Sequence, residues 1–134
     1  MRFLKTLSKV SVAFALTALG TLSSADETGK VEYMENCATC HGESGLGQGP
    51  LAELMTVSVP GLTGLSARND GVFPMLEVIQ MVDGRQGTRG HGGPMPVWGG
   101  RFKASAEEMG PYGAEVVVRG RILSLVYYLE SIQQ

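Results

Sequence analysis

Two cysteines and a histidine stand together in the segment Cys37-Ala38-Thr39-Cys40-His41, which contains both cysteines of the 134-residue chain and one of its two histidines. Thiols three residues apart lie about one helical turn from each other, so both can add to vinyl groups on one edge of a porphyrin. The histidine that follows directly can place its imidazole under the ring and bind iron. This C-x-x-C-H spacing is the attachment signature of a c-type haem. No internal repeat is visible, so we expect one haem, bound covalently through two thioethers.

The same cysteine pair is compatible with two other chemistries. A thioredoxin-like redox pair is expected near alternating strands and helices, and the sequence shows no such alternation. A structural zinc ion needs four ligands, which His41 and His91 would complete only if His41 bent back beside Cys40. The motif and its context together favour haem.

The first 25 residues have the layout of a secretory signal peptide. Arg2, Lys5 and Lys9 make its start positive. An apolar run follows from Val10 to Leu19, and Ser23-Ser24-Ala25 offers small residues for cleavage. The apolar run has about ten residues, and a bilayer span needs roughly 20, so a membrane anchor is disfavoured. We expect residues 26–134 to form one domain in the periplasm, since bacteria with such leaders attach haem c outside the cytoplasm.

The composition narrows the range of partners. The predicted leader contains three of the eleven Lys and Arg residues and none of the thirteen Asp and Glu residues. Residues 26–134 therefore have eight basic and thirteen acidic residues, a net charge of −5. Nucleic-acid binding needs basic patches, so this balance argues against a nucleic-acid partner. A domain of this size buries only a modest core, and we expect the polypeptide to fold poorly without its haem.

The segment before the cysteines has the pattern of a helix from Glu27 to Ala38. Gly29, Tyr33 and Cys37 recur every four residues and therefore share one side of that helix. A glycine in this stripe costs about 1 kcal/mol relative to alanine. It either lets another helix come close or lies at a frayed helix start.

Two further helices are predicted. Phe73 to Val82 has Pro74 in its first turn and ends before Gly84. Arg119 to Ile132 is the clearest helix, because its apolar residues recur at steps of four and three. The core-facing positions are predicted to be Leu76, Ile79 and Val82, then Val118, Ile122, Leu125, Leu129 and Ile132. Met75 and Met81 are assigned to core packing, and Glu115, Arg119, Arg121 and Glu130 to the solvated side.

Long irregular segments connect these helices. Gly42 to Pro50 is too rich in glycine for a regular element and is expected along the haem edge. Leu51 to Val59 is ambiguous between a loop and one helical turn, and Pro60 to Leu65 offers two leucines to cover the ring. Arg85 to Gly100 shows no regular structure, and a loop this long in a compact domain is usually functional. Lys103 to Gly113 has no assigned structure or role.

The order of these features resembles that of class I cytochromes c. Gly29 and Tyr33 stand where that family has a glycine and an aromatic residue before the first cysteine, and Leu125 and Tyr128 match its leucine and aromatic residue on the last helix. The segment 94–99, Pro-Met-Pro-Val-Trp-Gly, is similar to the distal-methionine segment of small proteobacterial periplasmic members. The resemblance implies an all-α fold of short helices and long loops around one haem, with the N- and C-terminal helices crossing.

The resemblance also implies that His41 is the proximal iron ligand and Met95 the distal one. Pro94 and Pro96 restrict the backbone on both sides of Met95, and a sulfur ligand raises the reduction potential relative to two imidazoles. The rival distal ligand is His91, on the same loop. Alternatively, His91 does not bind iron and is hydrogen-bonded to a haem propionate or to a loop carbonyl.

Trp98 is predicted to pack beside the haem, with its N–H within reach of a propionate. The arginines near the loop, Arg85, Arg89 and Arg101, are candidates for pairing with the propionates, or else lie in solvent. For any single one of them, the solvated position is the favoured interpretation.

The sequence thus predicts an electron carrier that is not an enzyme and that binds its redox donor and acceptor transiently, since such encounters use small interfaces. Iron held by His41 and Met95 has no position left for a substrate. Two alternatives remain open: the haem subunit of a periplasmic dehydrogenase complex, and a five-coordinate haem binding or catalytic protein in which Met95 only packs.

Overall fold

The computed structural model describes residues 24–85 and 93–134, and its regular elements in these ranges are all helical. The described residues form five α-helices: α1 Ser24–Asn36, α2 Ala38–His41, α3 Met75–Asp83, α4 Trp98–Ala104 and α5 Gly110–Ser131, with short 3₁₀ turns at Ala52–Leu54 and Glu107–Met109. The predicted all-α class is confirmed. The predicted signal peptide, residues 1–25, lies almost wholly outside the described ranges.

Helices α1 and α5 cross at Gly29. A Cβ atom at this position would overlap the carbonyl oxygen of Ser124 and lie 2.8 Å from the Cβ of Tyr128, so the two backbones approach this closely only because the residue is glycine. Beside the crossing, the rings of Tyr33 and Tyr128 pack with their centroids 5.4 Å apart. The close-approach interpretation of Gly29 is confirmed, and the frayed-start interpretation is wrong.

Helix α5 is the centre of the core, and α1, α3 and α4 each pack against it. Its buried residues are Ala114, Val118, Ile122, Leu125, Val126 and Leu129, and Ile132 packs against them from the helix end. The predicted apolar stripe is therefore confirmed. The helix begins at Gly110, nine residues before the predicted start at Arg119, with Pro111 in its first turn.

Helix α3 presents a different side to the core from the one predicted. Its core-facing residues are Met75, Val78, Ile79 and Val82. Leu76 is 61% exposed and Met81 is also exposed, so both assignments to the core are wrong. The helix ends as predicted, because Gly84 adopts a left-handed conformation with φ of 63°.

Helix α4 is not predicted by the sequence and begins inside the segment assigned as a loop. Gly99 and Gly100 are poor helix formers, which hides the helix from local pattern. Tertiary packing stabilises it, since Trp98 and Phe102 are buried with their ring centroids 5.9 Å apart. The unassigned residues 103–113 contain the end of α4, a 3₁₀ turn and the start of α5.

Candidate haem attachment site

The segment Cys37–His41 forms one helical turn that continues from α1. The Cys37 N–H donates to the Tyr33 carbonyl at 2.8 Å, and the His41 N–H donates to the Cys37 carbonyl at 2.9 Å. Cys37 and Cys40 are therefore about one turn apart, and neither is in a disulfide. The geometry agrees with the spacing argument made for two thioether bonds.

The glycine-rich loop after the turn folds back onto it. Four carbonyl oxygens of the turn accept hydrogen bonds from backbone N–H groups of this loop at 2.7–3.1 Å. The pairs, donor first, are Gly42 to Ala38, Leu51 to Thr39, Gly49 to Cys40 and Gly47 to His41. Carbonyls at a helix end otherwise have no partner in the helix. Gly42 and Gly47 have φ near +80°, which favours glycine, and a Cβ on Gly49 would overlap the Thr39 carbonyl oxygen. This loop, residues 42–51, is a backbone cap on the attachment turn.

His41 is held in one tautomer by the Pro60 carbonyl, whose oxygen lies 2.9 Å from Nδ1. Because a carbonyl oxygen can only accept, Nδ1 carries a hydrogen and donates it, and Nε2 is the ring nitrogen left to bind a metal. A metal-bound histidine usually donates its other N–H in this way, which fixes the ring orientation. The bond to Pro60 therefore orients the His41 ring as an iron ligand would be oriented.

The segment that supplies the Pro60 carbonyl is tied to the C-terminal end of the chain. The Gln133 side chain donates to the Leu62 carbonyl at 2.9 Å and accepts from the Ser66 N–H at 3.0 Å. These bonds fix the partner of His41 across about 70 residues of sequence, and no local pattern indicates them. The predicted covering of a haem ring by Leu62 stays a prediction.

Cys37 does not have the electrostatics of a redox cysteine. Burial, followed by the charges of Glu32 and Cys40, raises the pKa of its thiol to about 12. Reactive cysteines in C-x-x-C redox pairs have a lowered pKa. Within residues 24–85 and 93–134, no group of three His, Cys, Asp or Glu side chains is placed to hold a metal ion, although His91 lies outside these ranges. The raised pKa of the Cys37 thiol favours haem over the redox-pair alternative.

Met95 is turned inward between two exposed prolines. Pro94 and Pro96 are exposed, whereas Met95 is half-buried and packs against the core that includes Cys37 and Trp98. This orientation suits a distal ligand, and the role of Met95 in binding iron stays a prediction. The rival ligand His91 lies outside the described residues.

These residues fit a covalently bound haem, since two free thiols, an imidazole with a free Nε2 and an inward thioether form the donor set of a c-type site. A family model described as Cytochrome c matches residues 27–110, more than half of the chain. The chain belongs to the cytochrome c family. Its cofactor is therefore covalently bound haem c with its iron, and the role of such a domain is electron transfer. The resemblance to class I cytochromes c is confirmed.

A curated relative of this cytochrome is the Cbb3-type cytochrome c oxidase subunit CcoP of Azospirillum brasilense. The two are 38% identical over 89 residues, which cover 66% of this chain and 27% of the relative. The chain thus aligns with about a quarter of the relative's length. No significant match to a solved structure was found.

The cytochrome c domain is of a kind typically located outside the cytoplasm. Among the described residues, no helix is both long enough and apolar enough to cross a membrane.

Arg85 does not lie free in solvent. It pairs with Asp83 at 2.5 Å and with Glu115 at 2.7 Å, so the solvent interpretation of this residue is wrong, and its pairing with a propionate stays a prediction. Arg101 stacks on the ring of Trp98, with its Cζ 5.1 Å from the ring centroid. Arg89 lies outside the described residues.

Arg121 is also misplaced by the sequence, which assigns it to the solvated side of α5. It donates to both carboxylate oxygens of Glu32 at 2.6 and 2.8 Å and stacks on Phe102 with its Cζ 3.9 Å from the ring centroid. The pair joins α5 to α1 beside the cysteines. A charged residue at an otherwise apolar stretch of the last helix is the only sequence signal of this contact.

Proposed function

We propose that this cytochrome is a periplasmic carrier of single electrons that transforms no substrate of its own. Residues 1–25 are removed on export, and residues 26–134 form the working domain. Haem c is attached through Cys37 and Cys40, with His41 and Met95 as the axial ligands. Redox proteins act as donor and acceptor and bind transiently.

The hydrogen bond between His41 and the Pro60 carbonyl carries this proposal. It fixes the orientation of the imidazole and leaves Nε2 as the nitrogen that can bind iron. A histidine fixed in this way loses little conformational entropy on binding a metal. Neither a surface histidine nor a redox C-x-x-C pair needs such a partner.

Haem iron supplies a one-electron couple between the ferric and ferrous states. The protein's part is to hold both axial ligands still while the charge changes. His41 is fixed by Pro60, and the backbone cap holds the turn that carries it. The inward Met95 presents a soft sulfur that favours the ferrous state relative to a second imidazole. With both positions filled, no site remains for substrate or oxygen.

An optical spectrum of the exported mature protein in both oxidation states tests the ligand assignment. A methionine–ferric iron bond gives a weak far-red band, and we expect this band in the wild type and its loss in Met95→Ala. Met109→Ala is the matched control, because Met109 is 62% exposed, and its spectrum should equal that of the wild type. Rapid carbon monoxide binding by the reduced wild type, or a missing far-red band, would contradict the proposed ligand pair.

A lasting redox complex is the second candidate function, and one surface feature favours it. Tyr112, Val116, Leu123 and Tyr127 are all exposed, with Tyr112 at 84%, and their spacing places them on one side of α5. The similarity to a protein named as an oxidase subunit also supports this second function. Size-exclusion chromatography of native extract distinguishes the two, since a free carrier elutes at the size of one small domain.

A further inference from the structure

Arg85 follows the C-terminal end of α3 and joins carboxylates from two helices. Its Nε lies 2.5 Å from Asp83 Oδ1, and Nη2 donates to Asp83 Oδ2 at 3.0 Å. Nη1 and Nη2 donate to the two carboxylate oxygens of Glu115 on α5 at 2.7 and 3.2 Å. The three side chains are only one-quarter to one-third exposed, so solvent screens this cluster less than a surface pair.

The start of α4 is packed against the same place. A Cβ on Gly99 would overlap Asp83 Oδ1 and lie 2.6 Å from Arg85 Nε. A Cβ on Gly84 would lie 3.3 Å from both Val97 Cγ atoms. Residues 83–85 and 97–99 are therefore in contact, although eleven residues separate Arg85 from Val97 in the sequence.

Met95 lies two residues before Val97, close to one end of the segment that connects Arg85 to Val97. Holding the two ends of a connection together reduces the number of conformations open to the residues between them. We propose that Arg85 is a positioning residue for the distal ligand. Arg85, Asp83, Glu115 and Gly99 form what we call the Arg85 cluster. This cluster holds together the two ends of the segment between Arg85 and Val97, which carries Met95, so that the Met95 thioether outcompetes other ligands for iron. The inference rests on the proposed function, in which Met95 is that ligand.

A purely structural ion pair would affect stability without affecting competition at iron. The chain contains a matched example in Arg121 and Glu32, which also form two hydrogen bonds between helices and have side chains 26% and 11% exposed. The other partners of Arg121 are Phe102 and Ser105, beyond the segment that carries Met95. Arg121→Lys is therefore the control for Arg85→Lys, because lysine keeps the charge and loses the planar fork.

The test uses the ferric holo-protein, with imidazole as the competing ligand and the far-red band as the readout. The thermal midpoint of unfolding is measured beside it. We expect Arg85→Lys to bind imidazole about tenfold more tightly than the wild type, from the usual strength of hydrogen bonds to charged groups. Arg121→Lys should lower the thermal midpoint and leave imidazole affinity unchanged. Glu115→Gln, which removes one carboxylate charge, should shift affinity in the same direction as Arg85→Lys and replaces it if that variant does not fold.

Equal imidazole affinities in the wild type and the cluster variants would overturn the inference. So would an equal increase in Arg85→Lys and Arg121→Lys, since the effect would then follow stability alone. A wild type without the far-red band would contradict the Met95 ligand itself and, with it, this inference. The wild-type spectrum therefore separates a failure of the proposed function from a failure of the Arg85 cluster.

Discussion

Replacing Gly29 by alanine should destabilise the protein, because the crossing of α1 and α5 has no room for a methyl group. The added Cβ would overlap the Ser124 carbonyl oxygen and lie 2.7 Å from its carbonyl carbon. Ordinary contacts begin at 3.4 Å, so the helices must separate by about 0.7 Å or more at the point where Tyr33 and Leu125 are fully buried.

The expected cost follows from two opposing contributions. Overpacking typically costs about 1–3 kcal/mol, and the upper part of this range applies because the overlapped atoms belong to the backbone of a packed helix. Alanine gains about 1 kcal/mol over glycine as a helix former. The free energy of unfolding of Gly29→Ala should therefore fall by about 2 kcal/mol, which for a domain of this size lowers the midpoint by roughly 8 °C or more.

Thermal unfolding of the holo-protein, followed by circular dichroism, measures this change. Gly120→Ala is the matched control, since Gly120 is exposed within α5 and a Cβ there would meet no atom within 4 Å. That variant should raise the free energy of unfolding by up to about 1 kcal/mol, because only helix propensity changes. A Gly29→Ala midpoint equal to or above that of the wild type would refute the crossing argument.

Two further predictions concern the pH dependence of stability. Burial raises the pKa of Tyr33 from 10.0 to about 12, so its contribution to stability is complete below pH 10 and is lost as the pH rises through about 12. Urea unfolding should show this alkaline loss in the wild type and not in Tyr33→Phe. Hydrogen bonds from Arg85 and then Arg119 lower the pKa of Glu115 from 4.5 to about 2, so its contribution is present above pH 4.5 and is lost as the pH falls toward 2. Unfolding between these pH values should depend less on pH in Glu115→Gln, and an unchanged slope would show that the pairing contributes no stability.

Sequence pattern predicts those parts of this fold whose cause is local. The turn at Cys37–His41, the stripe of α5 and the glycine at the helix crossing all follow from residue spacing. The same reasoning places Leu76 in the core, since α3 has apolar residues on more than one side and only its neighbours decide which side is buried. The structure buries Val78 instead.

Long-range contacts explain what the sequence does not predict. Sequence pattern treats Gly99 as a break in regular structure, yet glycine is required there because Asp83 and Arg85 occupy the space of a side chain. Arg85 forms an ion pair with Glu115, 30 residues away in the sequence, and Arg121 forms one with Glu32, 89 residues away. In the candidate site, the motif residues are readable from the sequence, whereas the Gln133 bonds that hold the Pro60 segment are not.

The cap on the attachment turn uses only backbone groups, and this has a consequence for how such proteins can diversify. The side chains of Glu43, Ser44, Leu46 and Gln48 are all exposed and take no part in the four hydrogen bonds to the turn. Substitutions at these positions can alter the charge and shape of the surface next to the haem attachment turn while its glycines stay in place. A lineage can therefore exchange one redox partner for another by changing this surface, without rebuilding the turn that binds the cofactor.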